Sequence, residues 1–276
     1  MPGEENNRID LELGGVSFSI ISINEPFIKS LRNSFILPDH NHKPQISLEI
    51  GFLPAGRVKS AEILNDPEWQ EIGYGDRGVR GYFRRGGTKI KVLFEEAANP
   101  LHPAYLLSLL ISAFYILKKG QEDSVFLHAA GIIRDDKGYV FAGPSGSGKT
   151  TISRLSHPEG IAINDELVLI SNINGEYWLK GTPVKGDFYA STDLTKKLRG
   201  IFILRKDNIS YVQRIKGIDA GIKLFPLLFY PANFSDNRIE AISEVLRLVS
   251  GLVNKIPCYE LHFTQDNSFW HLIESL

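Results

Sequence analysis

Hydrophobic and polar positions follow a mostly strand-like pattern through Val16–Ile23, Gln45–Ile50, Gly81–Arg84 and Lys89–Phe94, with alternation clearest over Gln45–Ile50, the period of a strand that buries one face. The pattern predicts a mostly β region over residues 8–98, and Arg85-Gly86-Gly87-Thr88 predicts a hairpin turn between its last two runs. Asn99-Pro-Leu-His-Pro103 then punctuates the chain, and a helix is expected over Ala104–Lys118, with Lys118, Lys119 and Gly120 suiting its C-terminus. A domain boundary is expected there, dividing a β-rich domain, 1–120, from a second domain, 121–276. In the second half Val125–Arg134 reads as one strand, Asp135–Gly138 as a turn and Lys137–Ala142 as the returning strand. A short helix from about Lys149 to Leu155 stops at His157-Pro-Glu-Gly160, and strand character resumes over Ile161–Ile170. Further strands are expected at Tyr177–Leu179, Gly200–Leu204, Ser210–Ile215 and Tyr259–Phe263. An amphipathic helix over Arg238–Val253 carries Glu240, Glu244 and Arg247 on its solvent side. The fold class is α/β of the α+β kind.

Composition narrows the function classes. With 276 residues, 43% hydrophobic and 23% charged, the chain is long and apolar enough for a sizeable core. A net charge of -1 supplies no global field for nucleic acid or an anionic membrane. Cys258 is the sole cysteine, which excludes an intrachain disulfide and a multi-cysteine zinc site and makes a reducing cytoplasm the simplest compartment. The polar N-terminus lacks the basic-then-apolar order of a secretion signal, and the longest apolar run, Tyr105–Leu117, is too short to cross a bilayer. A soluble protein is expected; its oligomeric state, a homo-oligomer included, is left open.

The candidate chemistry begins at Gly143-Pro144-Ser145-Gly146-Ser147-Gly148-Lys149-Thr150, a complete G-x-x-x-x-G-K-[ST] phosphate loop between a strand and a helix. The glycines permit torsions that aim successive N–H groups at one anion, and the helix beginning near Lys149, with Thr151 in its first turn, adds its positive end. Lys149 is expected to reach the β- and γ-phosphates of ATP, and the Thr150 hydroxyl to take one position on Mg2+. Sixteen residues after the lysine come Asp165 and Glu166. Their strand resembles the apolar-strand-plus-acid element of other P-loop ATPases, but here no further strand and helix intervene. Neighbouring strand residues face opposite ways, so the two acids should differ in job unless the strand ends at them. His128 ends an apolar run, where packing and catalysis are both open readings.

Phe126-Leu-His128-Ala-Ala-Gly, a phosphate loop opening fifteen residues after that histidine, and an acidic pair soon after the helix resemble the HPr kinase/phosphorylase family, whose kinase domain is related to phosphoenolpyruvate carboxykinase. The resemblance covers residues 121–276. It implies a kinase domain with a mixed sheet and ATP-dependent phosphorylation of a serine on a protein or peptide. It further implies that paired acids at Asp165 and Glu166 supply the base and support the metal, with His128 assisting. A shift of one places Asn164 and Asp165 there instead; the first register keeps two carboxylates. The family's Glu-Ile-Arg-Gly-Leu-Gly signature is missing. In its place Lys180-Gly-Thr-Pro-Val-Lys-Gly-Asp187 resembles a loop of HPr kinase-like proteins from peptide-modification clusters, including lasso peptide pathways. That departure favours a specialised peptide or protein kinase, with Asp187 either a metal ligand or a turn residue.

Two other readings stand beside this one. A small-molecule kinase or carboxykinase-like enzyme would bind its anion through basic residues such as Lys180, Lys185, Arg205 and Arg214. A nucleotide-sensing or leader-peptide-binding module would use the basic and aromatic stretch Arg77–Lys91.

Overall fold

The structure, a computed structural model, describes residues 7–37, 44–54, 67–71, 79–84, 87–95, 103–118, 123–188, 194–229 and 238–276. By its contacts the chain divides into two compact units, Met1–Leu117 with Pro231–Ala241, and Lys118–Tyr230 with Ile242–Leu276.

The first unit holds strands β1 (Arg8–Leu13) and β2 (Val16–Ser22), helix α1 (Glu25–Ser34), strands β3 (Ile46–Leu53), β4 (Trp69–Glu71), β5 (Val79–Arg84) and β6 (Lys89–Glu95), and helix α2 (Pro103–Lys118). Its six-stranded sheet runs β1-β2-β3-β6-β5-β4, with β3 parallel to both β2 and β6 and the other pairs antiparallel. Alternation puts Ile46, Leu48 and Ile50 of β3 and Ile90, Val92 and Phe94 of β6 in the core. Helix α1 falls inside the stretch expected to be mostly strand, where no helix was expected. The Asn24 side chain accepts from Phe27 N at 2.9 Å, Pro26 sits in its first turn, and Phe27, Ile28 and Leu31 are buried. Short amphipathic spacing between two strands is easily read as a connection. Strands β5 and β6 pair antiparallel, as a hairpin requires, although Arg85 and Gly86 lie outside the described residues. So do residues 96–102, which hold most of the Asn99–Pro103 punctuation, and the boundary near 120. In α2 Leu106, Leu110, Ile111 and Phe114 are buried, and no described helix is long and apolar enough to cross a membrane.

The second unit continues with β7 (Asp123–Leu127), β8 (Ala129–Arg134), β9 (Lys137–Ala142), α3 (Lys149–Ser156), β10 (Ile161–Asn164), β11 (Val168–Ile173) and β12 (Glu176–Lys180). It closes with β13 (Thr195–Lys206), β14 (Tyr211–Ile215), α4 (Gly217–Leu224), a 3-10 turn (Phe225–Leu227), β15 (Leu228–Phe229), α5 (Arg238–Lys255, counted in this unit from Ile242), β16 (Cys258–Phe263) and α6 (Phe269–Glu274). The ten-stranded sheet runs β10-β8-β9-β13-β12-β11-β7-β15, with β16 on β13 and β14 on β16. Strands β9, β13 and β16 are mutually parallel in sequence of pairing, and the remaining pairs are antiparallel, so this is a mixed sheet. One core gathers Leu127, Val140, Ile170, Leu179, Ile201, Leu224 and Leu248; the other gathers Phe141, Ile152, Phe202, Phe263, Phe269 and Trp270. Phe141 and Phe202 stack at 5.4 Å, and Trp270 donates to Ser156 Oγ at 3.1 Å, tying α6 to α3.

Two long strands expected from the sequence are broken. Val125–Arg134 divides at His128, and Ile161–Ile170 divides at Asp165–Leu167. Each piece pairs differently: β7 with β11 and β15, β8 with β9 and β10. Apolar content alone does not show such a break, because both pieces are buried on both faces.

Candidate active site

The two strand breaks build the site. Leu127 pairs with Val168 and Gly131 with Asn164, so His128, between β7 and β8, and residues 165–167, between β10 and β11, are the facing breaks in these strands. His128 and the acids are thereby brought together. His128 N donates to Leu227 O at 2.8 Å, which anchors its backbone to the 3-10 turn.

The phosphate loop leaves the end of β9. Ser147 N donates to Pro144 O at 3.1 Å, closing the turn, and Ile152 N donates to Gly148 O at 2.9 Å, opening α3. Gly146 and Gly148 have φ of 79° and 107°, which a side chain would strain, and a Cβ on Gly148 would also lie 2.6 Å from Phe263 Cζ. Gly148 supplies no side-chain cap to α3, so the first-turn N–H groups remain available to an anion. Gly143, Pro144, Ser145, Gly146, Ser147, Gly148, Lys149, Thr150 and Thr151 thus form the strand-loop-helix expected, and Ser147 Oγ is buried without a hydrogen-bond partner.

Lys149 is buried, its ammonium donating to Gly143 O at 3.1 Å and Pro144 O at 3.4 Å and lying 2.8 Å from His128 Nε2. Burial lowers its pKa, against the attraction of Glu166 and Asp165. Burial and then the Lys149 charge lower the pKa of His128, so the imidazole is neutral at neutral pH. Its tautomer follows from its partners: Nε2 accepts from Lys149, and Nδ1 carries the proton toward the Glu166 backbone carbonyl and lies 3.4 Å from Glu166 Oε1. Because the folded-state pKa lies below 6.5, the unfolded chain takes up a proton there that the folded chain refuses. His128 therefore contributes stability that is full above that value and is lost as pH falls through its folded pKa. His128→Gln is expected to flatten the acid limb of a melting-temperature profile between about pH 5 and 7. An unchanged limb would show that His128 titrates equally in both states.

Asp165 and Glu166 are placed differently. Asp165 is buried; its Oδ2 accepts from Thr150 Oγ1 at 2.8 Å and from Phe188 N at 3.1 Å, while Oδ1 is buried without a partner. The Glu166 side chain is 47% exposed and faces His128. Their turn is held by Asn164, a fully used buried amide. Its Oδ1 accepts from Glu166 N and Leu167 N, both at 2.8 Å, and its Nδ2 donates to Thr182 O at 3.1 Å and Val184 O at 2.7 Å. Thr182 Oγ1 returns a bond to Leu167 O at 2.7 Å. The Gly-Thr-Pro loop is thus stitched to the acidic turn. A Cβ on Gly186 would lie 1.8 Å from Asp165 Oδ1, so the loop backbone lies directly against the carboxylate.

An unpartnered buried carboxylate oxygen, a threonine hydroxyl on the same carboxylate, and a backbone recess that only glycine leaves open are hard oxygen chemistry suited to Mg2+. Asp187, between Gly186 and Phe188, is exposed and has no hydrogen bond or ion pair among the described residues. No group of three or more His, Cys, Asp or Glu side chains that could hold a metal occurs among the described residues. Asp165 and Thr150, whose oxygens already meet, would hold a magnesium here together with the nucleotide's own phosphates.

Sequence reasoning did not single out Asn164 as a clamp or Gly186 as a contact. Asn164 appeared only in an alternative register, and a long-range backbone contact leaves no periodic signal. Among the other basic candidates, Arg205 pairs with Glu260 at 2.8 Å. Arg214 pairs in register with Tyr259, near the start of β16, whereas the phosphate loop touches Phe263 at its end. In the β5–β6 hairpin Arg84 pairs with Glu68 at 2.5 Å and Lys91 lies 4.8 Å over the Trp69 ring; Arg77 and Arg85 fall outside the described residues.

A family model described as SynChlorMet cassette protein ScmC matches residues 102–276. The structure of the Hpr(Ser) kinase/phosphatase from Coxiella burnetii is similar over 54% of this chain and 94% of that chain, with 9% sequence identity and a TM-score of 0.32. No curated protein matches the chain.

Proposed function

The chain belongs to the SynChlorMet cassette protein ScmC family, and from that premise and the geometry of the site we propose that it is an ATP-dependent kinase that phosphorylates a serine hydroxyl on a protein or peptide. The observation that carries the reading is the joining of phosphate loop and acids: Thr150 bonds to Asp165, while Lys149 reaches His128, which in turn faces Glu166. A phosphate loop used only to hold a nucleotide has no need of a half-exposed carboxylate on a neutral histidine at its mouth.

In this reading the polyphosphate binds to the loop N–H groups and Lys149, whose bonds to Gly143 O and Pro144 O hold the ammonium at that place beforehand. Magnesium, when bound, would neutralise phosphate charge, with Asp165 and Thr150 holding it. Glu166 accepts the proton of the serine hydroxyl as the serine oxygen forms its bond to the γ-phosphorus and the bond to the bridging oxygen of ADP breaks. His128 is a positioning residue: its Nδ1–H holds Glu166 and its Nε2 receives Lys149. The products are phosphoserine, ADP and a proton.

The other products of the same cassette are the natural candidate acceptors. The test is transfer of labelled phosphate from ATP with magnesium to each of them, set against a panel of small metabolites. Glu166→Gln is expected to lose transfer about 10²- to 10⁴-fold while keeping ATP affinity. Full transfer by that variant would remove Glu166 from the role of base. Labelled metabolites with unlabelled peptides would favour the small-molecule reading.

A further inference from the structure

We propose that Lys206 is a second phosphate-binding cation, reaching the nucleotide's polyphosphate from outside the loop; the proposal rests on the kinase reading for the identity of that ligand. Strand β13 runs parallel to β9, which feeds the loop, with Ile203 opposite Ala142. Alternate residues of β13 share one face, so Phe202, Leu204 and Lys206 follow one another along it. Phe202 and Leu204 lie in the core with Ile152 of α3. Leu204 Cβ is 3.7 Å from where a Cβ on Gly143 would stand, and Lys206 Cε is 3.5 Å from where one on Gly148 would stand. One strand face therefore tracks the loop from its first glycine to its last, ending in an ammonium.

Among the described residues no carboxylate pairs with that ammonium. Arg205, one residue earlier and on the opposite face, is neutralised by Glu260 at 2.8 Å. Lys206 is exposed and forms no ion pair among the described residues. Its stem lies beside Gly148 and Phe263, and a lysine whose methylenes rest on such a surface directs its head along the edge of the loop. The first-turn N–H groups of α3 are uncapped at the same place. Lys149 approaches the phosphate site from within the loop and Lys206 from without.

Calorimetric titration of the full chain with ATP and magnesium tests this with four variants. Lys206→Ala and Lys206→Met are expected to weaken ATP binding about tenfold, Lys206→Arg to restore most of it, and Lys206→Glu to fall below both. Lys206→Met keeps the apolar stem, so its loss reports charge rather than packing, and an exposed position leaves the melting temperature unchanged. Wild-type affinity in Lys206→Met would overturn the inference while leaving the kinase reading intact. A wild-type chain that binds no ATP would overturn both.

Discussion

Lys149→Met is expected to lose phosphoryl transfer by at least 10²- to 10³-fold, together with most ATP affinity, without lowering the melting temperature. The buried ammonium is held by two loop carbonyls and a neutral imidazole rather than by a carboxylate in direct contact. Burial accordingly depresses its pKa below 10.5. A thioether of similar length removes that desolvation cost, so stability should hold or rise. The sign of the pH dependence follows. The unfolded chain binds a proton at this lysine over the window between the folded-state pKa and 10.5, so wild-type stability from this group rises with pH there, and in Lys149→Met that rise disappears. Thermal melts against pH and ATP titration measure the two arms. ATP binding at wild-type strength by the variant would remove Lys149 from the role of phosphate binder.

Gly186→Ala is expected to be the most damaging single methyl in the site. The added Cβ would stand 1.8 Å from Asp165 Oδ1, 2.8 Å from its Cγ and 3.4 Å from Glu166 Cβ, so carboxylate or loop must move. Movement of the carboxylate breaks the bonds it accepts from Thr150 and Phe188, and movement of the loop breaks the second of them. A destabilisation of about 1–3 kcal/mol follows from overpacking, and transfer should fall about 10²-fold or more as Asp165 leaves Thr150. Two controls isolate the cause. Asp187→Ala, one residue along and exposed, should leave stability unchanged, and its effect on transfer reports whether that side chain holds metal. Gly186→Ala combined with Asp165→Ala should recover stability without recovering transfer, because the clash is gone along with the carboxylate. Additive destabilisation in the double variant would show that the two residues do not touch.

Local chemistry was legible where a feature lies within a few consecutive residues. The strand, loop and helix from Lys137 to Ser156 could be read because the glycines and the lysine act through their own backbone neighbours. His128 and the acids carry the resemblance to HPr kinase/phosphorylase proteins, and residues 102–276 match the ScmC family. Helix α1 escaped because its ten residues sit in a run of strands, and its cap and apolar spacing are signals that alternation on either side obscures. The breaks at His128 and Asp165–Leu167 escaped for a different reason. A strand that ends in order to join another pairing looks the same, residue by residue, as one that continues.

What the sequence by itself determined is the mixed α/β composition, the phosphate loop with Lys149 and Thr150, and the nearness in the chain of two carboxylates. Only the tertiary structure decided what each of those carboxylates touches. Asp165 is buried against Thr150 and Gly186, and Glu166 stands half-exposed against His128; adjacency in the chain implies that the two differ in surroundings, but not which of them meets which partner. The physical reason is that each assignment depends on contacts across 15 to 38 residues of chain, from Thr150 to Asp165 and from His128 to Glu166, set by strand register and by one buried asparagine amide.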